Sequence, residues 1–234
     1  MFGTAFGGAL FVGLMVWALY LALEPLVRRR WPGLIISWTR LLSGNFRDPM
    51  VARDFLIGAA CGSVILLIGA VESHLPSLLG MAPLTPERVE LAPLLGLRYL
   101  GQDLVTLQVE AAVNAMFFFF LPIGLLLLVR REWLALVLSV MILGSLGGAR
   151  GESPLFAFTT AVIQVSAFLF VVRRFGLLAI AATFLYVLGV SNAPLTGDFS
   201  AWYGSMTGLV LAIFALPAVL AFRAALPQRK PARS

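Results

Sequence analysis

Charged residues in this chain fall in clusters, separated by long uncharged apolar stretches. Apolar segments cover Phe2–Val27, Phe55–Val71, Val109–Val129, Trp133–Leu146, Pro154–Val172, Phe175–Val190 and Ala201–Phe222. A helix needs about 20 apolar residues to cross the hydrocarbon core of a bilayer. The pattern therefore predicts an all-α polytopic transmembrane bundle of about seven spans, with the fourth and sixth the shortest. A transmembrane β-barrel would need alternating polarity over segments of about 10 residues. The runs Phe117–Phe120 and Leu125–Val129 do not alternate. The predicted membrane domain covers residues 1–226, and the basic, polar tail 227–234 is expected to be disordered.

Composition agrees with this pattern. Hydrophobic residues make up 60% of the 234 positions and charged residues 12%. Soluble domains carry about 45–50% and about 25% respectively, so a bilayer is the natural solvent for the excess. The lone cysteine, Cys61, excludes an intrachain disulfide. Phe2 to Leu23 lacks the basic start and cleavage site of a secretory signal, so it reads as a retained span.

The distribution of charge predicts an orientation. With the N-terminus outside, only Arg88, Arg98 and Arg150 of the 17 basic residues fall outside, leaving 14 in cytoplasmic segments. That is the positive-inside bias of a multi-pass membrane protein. Two loops are long enough to carry structure. The cytoplasmic loop 28–54 mixes Arg with Trp31, Trp38 and Leu34-Ile35-Ile36, a composition suited to an interfacial helix with its aromatics at headgroup depth. The outer loop 72–108 carries Thr85-Pro86-Glu87, an N-cap followed by a first-turn proline, which predicts a short helix ending near Pro93.

The densest polar cluster follows the first span and holds Glu24, Arg28, Arg29, Trp31, Trp38, Arg40, Arg47, Asp48, Arg53 and Asp54. Glu24 precedes Arg28 by four residues, the favourable order for a helical ion pair. Pro25 weakens the ladder beside it. Arginine suits bidentate recognition of carboxylate or phosphate, and Asp48 and Asp54 are placed to hold arginines in position. The expected partners are the bilayer, anionic lipid headgroups and a cytoplasmic kinase or other signalling protein, with no nucleic acid. A plain topology signal with aromatic anchors explains much of the same pattern.

On the outer side, Arg98, Gln102, Thr106, Glu110 and Asn114 form a row at spacing four on one predicted helix. Glu110 is expected at the outer interface, and Asn114 is expected to bond a neighbouring helix. Asp198 or Ser200 is expected to cap the last span, with Trp202 at the interface. Gln164 is the deepest strongly polar side chain and is expected to join helices. No ionisable residue is expected near the centre of a span, which counts against ion-coupled transport.

Catalytic signatures are absent. His74 is the single histidine, so paired-histidine metal motifs cannot be built. Glu24-Pro25 with Arg29 loosely resembles the first motif of intramembrane CAAX-type proteases, but the later intramembrane Glu and His residues of that family are missing. No metal, cofactor or catalytic residue is assigned.

Several longer strings carry a family resemblance. They are Tyr20–Pro32 (YLALEPLVRRRWP), Ile36–Leu42 (ISWTRLL), Arg47-Asp48-Pro49 with Arg53-Asp54, and Pro194–Tyr203 (PLTGDFSAWY). Together they resemble the membrane region that follows the kinase domain in certain bacterial serine/threonine protein kinases, notably acidobacterial ones. The similarity extends over nearly the whole chain, but no kinase motif is present to carry over. The resemblance implies a non-catalytic membrane module that anchors, senses or docks a partner in signalling. The competing reading is a small-molecule or lipid transporter, or a subunit of a membrane complex.

Overall fold

The computed structural model describes residues 13–14, 17–18, 20–21, 24–25, 27–29, 31–78, 80, 92–147, 154–198, 200–201 and 204–226. Among the described residues every regular element is helical. Helical positions between 13 and 29 lead into a 3-10 turn at Pro32–Leu34 and a short helix, α1 (Ile36–Leu42). Six longer helices follow: α2 (Pro49–Leu78), α3 (Leu97–Val129), α4 (Glu132–Gly147), α5 (Pro154–Phe175), α6 (Leu177–Ser191) and α7 (Gly204–Ala225). Four of them, α2, α3, α5 and α7, contain segments long and apolar enough to cross a membrane. The predicted helix near Thr85 and the tail 227–234 lie outside the described residues.

The outer surface of the bundle is apolar. Leu128 is 80% exposed, and Leu67, Phe170 and Leu216 are each more than half exposed. A soluble monomer rarely presents apolar area on this scale. A bilayer accepts it without cost, so the chain reads as an integral membrane protein.

The core is built around the shortest of the long helices. α6 has 15 residues, about 22 Å of rise. Leu177, Ala179 and Ile180 are fully buried in it. It is surrounded by α2, α3 and α5, so its length need not match a lipid layer. Phe168 of α5 stacks on Phe184 of α6 at 4.5 Å, and Phe118 of α3 meets both rings edge-on.

α2 lies closest to α6. A Cβ on Gly58 would run into the Ala179 carbonyl and the Ala182 methyl, and one on Gly62 would stand 2.9 Å from the Tyr186 Cβ. The two contacts advance together along both helices, so α2 and α6 run parallel. Small residues give transmembrane helices this close approach. Thr183 donates its hydroxyl to the Gly58 carbonyl at 3.1 Å and to its own Ala179 carbonyl at 2.8 Å, and this ties the seam.

The turns follow from local chemistry. Gly176 breaks the chain between α5 and α6 at φ 87°, three residues after Arg173, where the arginine pair had suggested an earlier break. α3 ends at Arg130, which takes the left-handed conformation at φ 59° and donates its N–H to the Leu126 carbonyl. α3 has 33 residues, about 50 Å, so it must project beyond a 30 Å hydrocarbon core. Its polar row from Arg98 to Glu110 lies in its N-terminal half.

Candidate functional site at the basic end

The charged cluster assembles at the end of the bundle where α2 begins. Arg28 donates to Glu24 at 2.6 Å, the expected ion pair, and the helical positions run through Pro25. Arg29 is exposed and Trp31 half-buried. The 3-10 turn then seats on the α5–α6 corner, where a Cβ on Gly176 would strike the Leu34 carbonyl.

α1 packs one side against the bundle and does not stand free of it. Ile35 and Ser37 are buried, and Trp38 is only 9% exposed. Trp38 joins the core cluster that contains Val27, Val51 and Leu177. Trp31 packs against the same cluster. The segment is tucked under the bundle because Ile35, Trp38 and Leu41 find a larger apolar surface there than at an interface. The Ser37 hydroxyl and the Trp38 indole N–H are buried without a hydrogen-bond partner. The other side of the loop remains open, with Leu42 66% and Phe46 69% exposed beside Arg40 and Arg47.

The two aspartates of the cluster have separate roles. Asp48 is the cap of α2: its Oδ1 accepts the Met50 N–H at 2.8 Å, and Pro49 opens the first turn. Its Oδ2 accepts from Arg40 at 2.7 Å, so the same carboxylate also fixes α1 to α2. The Met50 amide, helped by Arg40, holds Asp48 below the usual carboxylate range. Asp54 is 2% exposed and accepts from Arg53 at 2.9 Å, with Arg53 reaching out to solvent. Arg173 and Glu132 meet at 3.4 Å on the exposed surface and join the ends of α4 and α5.

The side chains of Glu110, Asn114 and Asp198 at the opposite end are not drawn together by any bond among the described residues. Glu110 is exposed on α3. Asn114 donates to the Glu110 carbonyl of its own helix at 2.8 Å, so it closes a turn within α3, and among the described residues it makes no bond to a neighbouring helix. Asp198 folds a turn by accepting from the Ser200 N–H and hydroxyl, and those bonds lower its acidity range. That turn precedes α7, whose Thr207 hydroxyl accepts the Thr196 N–H at 3.0 Å. Trp202 lies outside the described residues. A crevice here, bordered by Leu100, Leu107, Gly189 and Phe214, has about 20 Å³, room for a single water.

The sequence pattern places Glu72 at the start of the outer loop, but α2 continues six residues past it to Leu78. Its Oε2 accepts the Gln164 amide of α5 at 2.6 Å, and its Oε1 is buried with no partner. Gln164 does join helices, as expected. The signal available in the sequence was a single acidic residue at the end of an otherwise continuous helical run. Among the described residues no group of three His, Cys, Asp or Glu side chains is placed to hold a metal ion.

No protein-family model, curated protein or solved structure matches the chain.

Proposed function

We propose that the chain is a non-catalytic membrane module of a bacterial inner membrane, which docks a signalling partner at its basic end. In this reading the chain crosses seven times, with α4 and α6 as short crossings, and the basic end faces the cytoplasm. The positive-inside distribution of Arg and Lys supports that orientation. The resemblance to the membrane region of bacterial serine/threonine kinases suggests a kinase as the partner.

The observation that carries the proposal is the two-sided construction of loop 28–54. Its inner side is locked into the core through Ile35 and Trp38, while its outer side presents Arg40, Arg47, Leu42 and Phe46. Whatever binds the outer side therefore bears on α2 and α6 through a rigid wedge. A topology signal needs no such wedge.

A photo-crosslinking residue at Phe46, expressed in native membranes, tests the reading. Adducts with a kinase catalytic domain, reduced by Arg40→Gln with Arg47→Gln, are the expected result. Adducts with lipid alone, unchanged by the arginine substitutions, would leave the cluster as a membrane-surface device and end the docking proposal.

A further inference from the structure

Glu72, paired with Gln164, is a carboxyl group inside the bundle that the basic-end reading leaves unused. Gln164 is the eleventh of 22 residues in α5, and so sits near the midplane of any crossing that helix makes. A glutamine side chain reaches about 5 Å from its Cα. With the 2.6 Å hydrogen bond added, the Glu72 carboxyl lies within about 8 Å of the Gln164 backbone. The half-thickness of the hydrocarbon is about 15 Å. The carboxyl therefore lies at hydrocarbon depth.

Among the described residues its surroundings offer no counter-charge. On α2 itself the nearest titratable residue is His74, which is exposed, and Arg53 and Asp54 lie at the far end of the helix. α5 carries no charged residue between Pro154 and Val172, and its Arg173 and Arg174 are at the basic end. α6 has none, α7 has only Arg223 near its C-terminus, and α1 has only Arg40. One carboxyl oxygen is bonded to Gln164, and the other is buried and unbonded. An ionised carboxylate without a cation in such a place carries a large desolvation cost. A metal cation would require several ligands, and among the described residues no group of three His, Cys, Asp or Glu side chains is placed to hold one. A proton needs only the unbonded Glu72 oxygen.

We propose that Glu72 is an intramembrane proton-binding site, with Gln164 as the residue that positions its carboxyl. The proton is bound by the unpaired Oε1. The Gln164 amide remains donated to Oε2 and fixes the carboxyl plane in both states. Gly69, one turn earlier on α2, lies beside that amide, and a Cβ there would stand 3.8 Å from it, an ordinary contact.

Infrared spectroscopy of the full chain in lipid nanodiscs tests this. At neutral pH the wild type should show a protonated-carboxyl C=O stretch that is missing from Glu72→Gln. In Gln164→Leu the band should persist but move to the frequency of a carboxyl without that hydrogen bond. Replacing sodium with choline in the buffer should leave it unchanged. A wild-type spectrum with no band removed by Glu72→Gln would overturn the proposal. So would a band that appears or vanishes with sodium, since that marks a metal cation as the occupant. If Glu72→Gln does not fold, an unshifted band in a folded Gln164→Leu protein overturns the assignment instead.

Discussion

α2 meets two neighbours by two different kinds of contact. Against α6 it has a seam of small residues, where Gly58 and Gly62 let backbones approach and one hydroxyl, Thr183, bonds across. Against α5 it has a polar pair, Glu72 with Gln164. In lipid, apolar side chains gain little by leaving one hydrocarbon surface for another. Packing density and hydrogen bonds must supply the association. The first seam relies on shape over several turns. The second concentrates its specificity in two side chains and leaves one oxygen unsatisfied. Shape is unforgiving of added volume, whereas a polar pair is unforgiving of losing one member.

The largest effect should come from breaking the steric seam. Gly58→Val places atoms where the Ala179 carbonyl and the Ala182 methyl already stand. Backbone cannot yield as a flexible side chain does, so the loss should be about 3 kcal/mol. Unfolding of the bicelle-embedded protein would measure it. A loss below about 1 kcal/mol would mean that α2 and α6 are not held at this distance.

The polar seam should respond less and in a different way. Gln164→Leu leaves both Glu72 oxygens without a partner, at a cost of about 1–2 kcal/mol. Adding Glu72→Leu should recover most of that loss, because the group that needed a partner is gone. A double variant as unstable as the single one would show that Gln164 acts through packing alone.

Thr183→Val separates the two kinds of contact within the first seam. It keeps the shape but removes the bond to the Gly58 carbonyl. Interhelical hydrogen bonds in membranes average about 0.6 kcal/mol, so the change should stay near that value. A loss as large as that of Gly58→Val would mean that the hydroxyl, not the small residues, sets the seam.

The sequence made some of this contrast legible and hid the rest. Apolar runs located all six long helices, because hydrocarbon demands continuous apolar length. The runs could not show which helix is central. α6 looks weak for its shortness, yet it is shielded by its neighbours and need not span by itself. Glu72 was read as the start of a loop because polarity usually marks a helix leaving the membrane. Its partner, 92 residues away, removes that meaning. Trp38 was read as an interfacial anchor on composition. Composition does not distinguish a ring lying on a membrane from one tucked under a bundle. The roles of the aspartates were partly visible. Asp48-Pro49 has the form of a cap and a first-turn proline, but the surrounding arginines drew attention to its charge.

The smallest expected effect concerns the anchored start of α2, ahead of both seams. Asp48 receives the Met50 N–H on one oxygen and Arg40 on the other. The backbone bond, with the arginine second, depresses its acidity range from an ordinary value of 3.8. A carboxylate depressed in the folded state contributes stability above its unfolded value and loses it as pH falls through the folded one. The start of α2 should therefore hold at neutral pH and loosen only below about pH 4. Hydrogen exchange at Val51 and Ala52, compared with a mid-helix amide such as Ile65, would follow it. In Asp48→Asn the cap remains, because an asparagine oxygen also accepts from the first turn. The acid-dependent loosening should vanish while the neutral-pH protection stays near that of the wild type. Arg53→Gln is the contrasting change. It removes the exposed partner of the buried Asp54, so it should destabilise at neutral pH and not in acid alone. If instead both variants loosen the first turn equally at every pH, the aspartates share one structural role. The separation between a capping Asp48 and a paired, buried Asp54 would then be wrong.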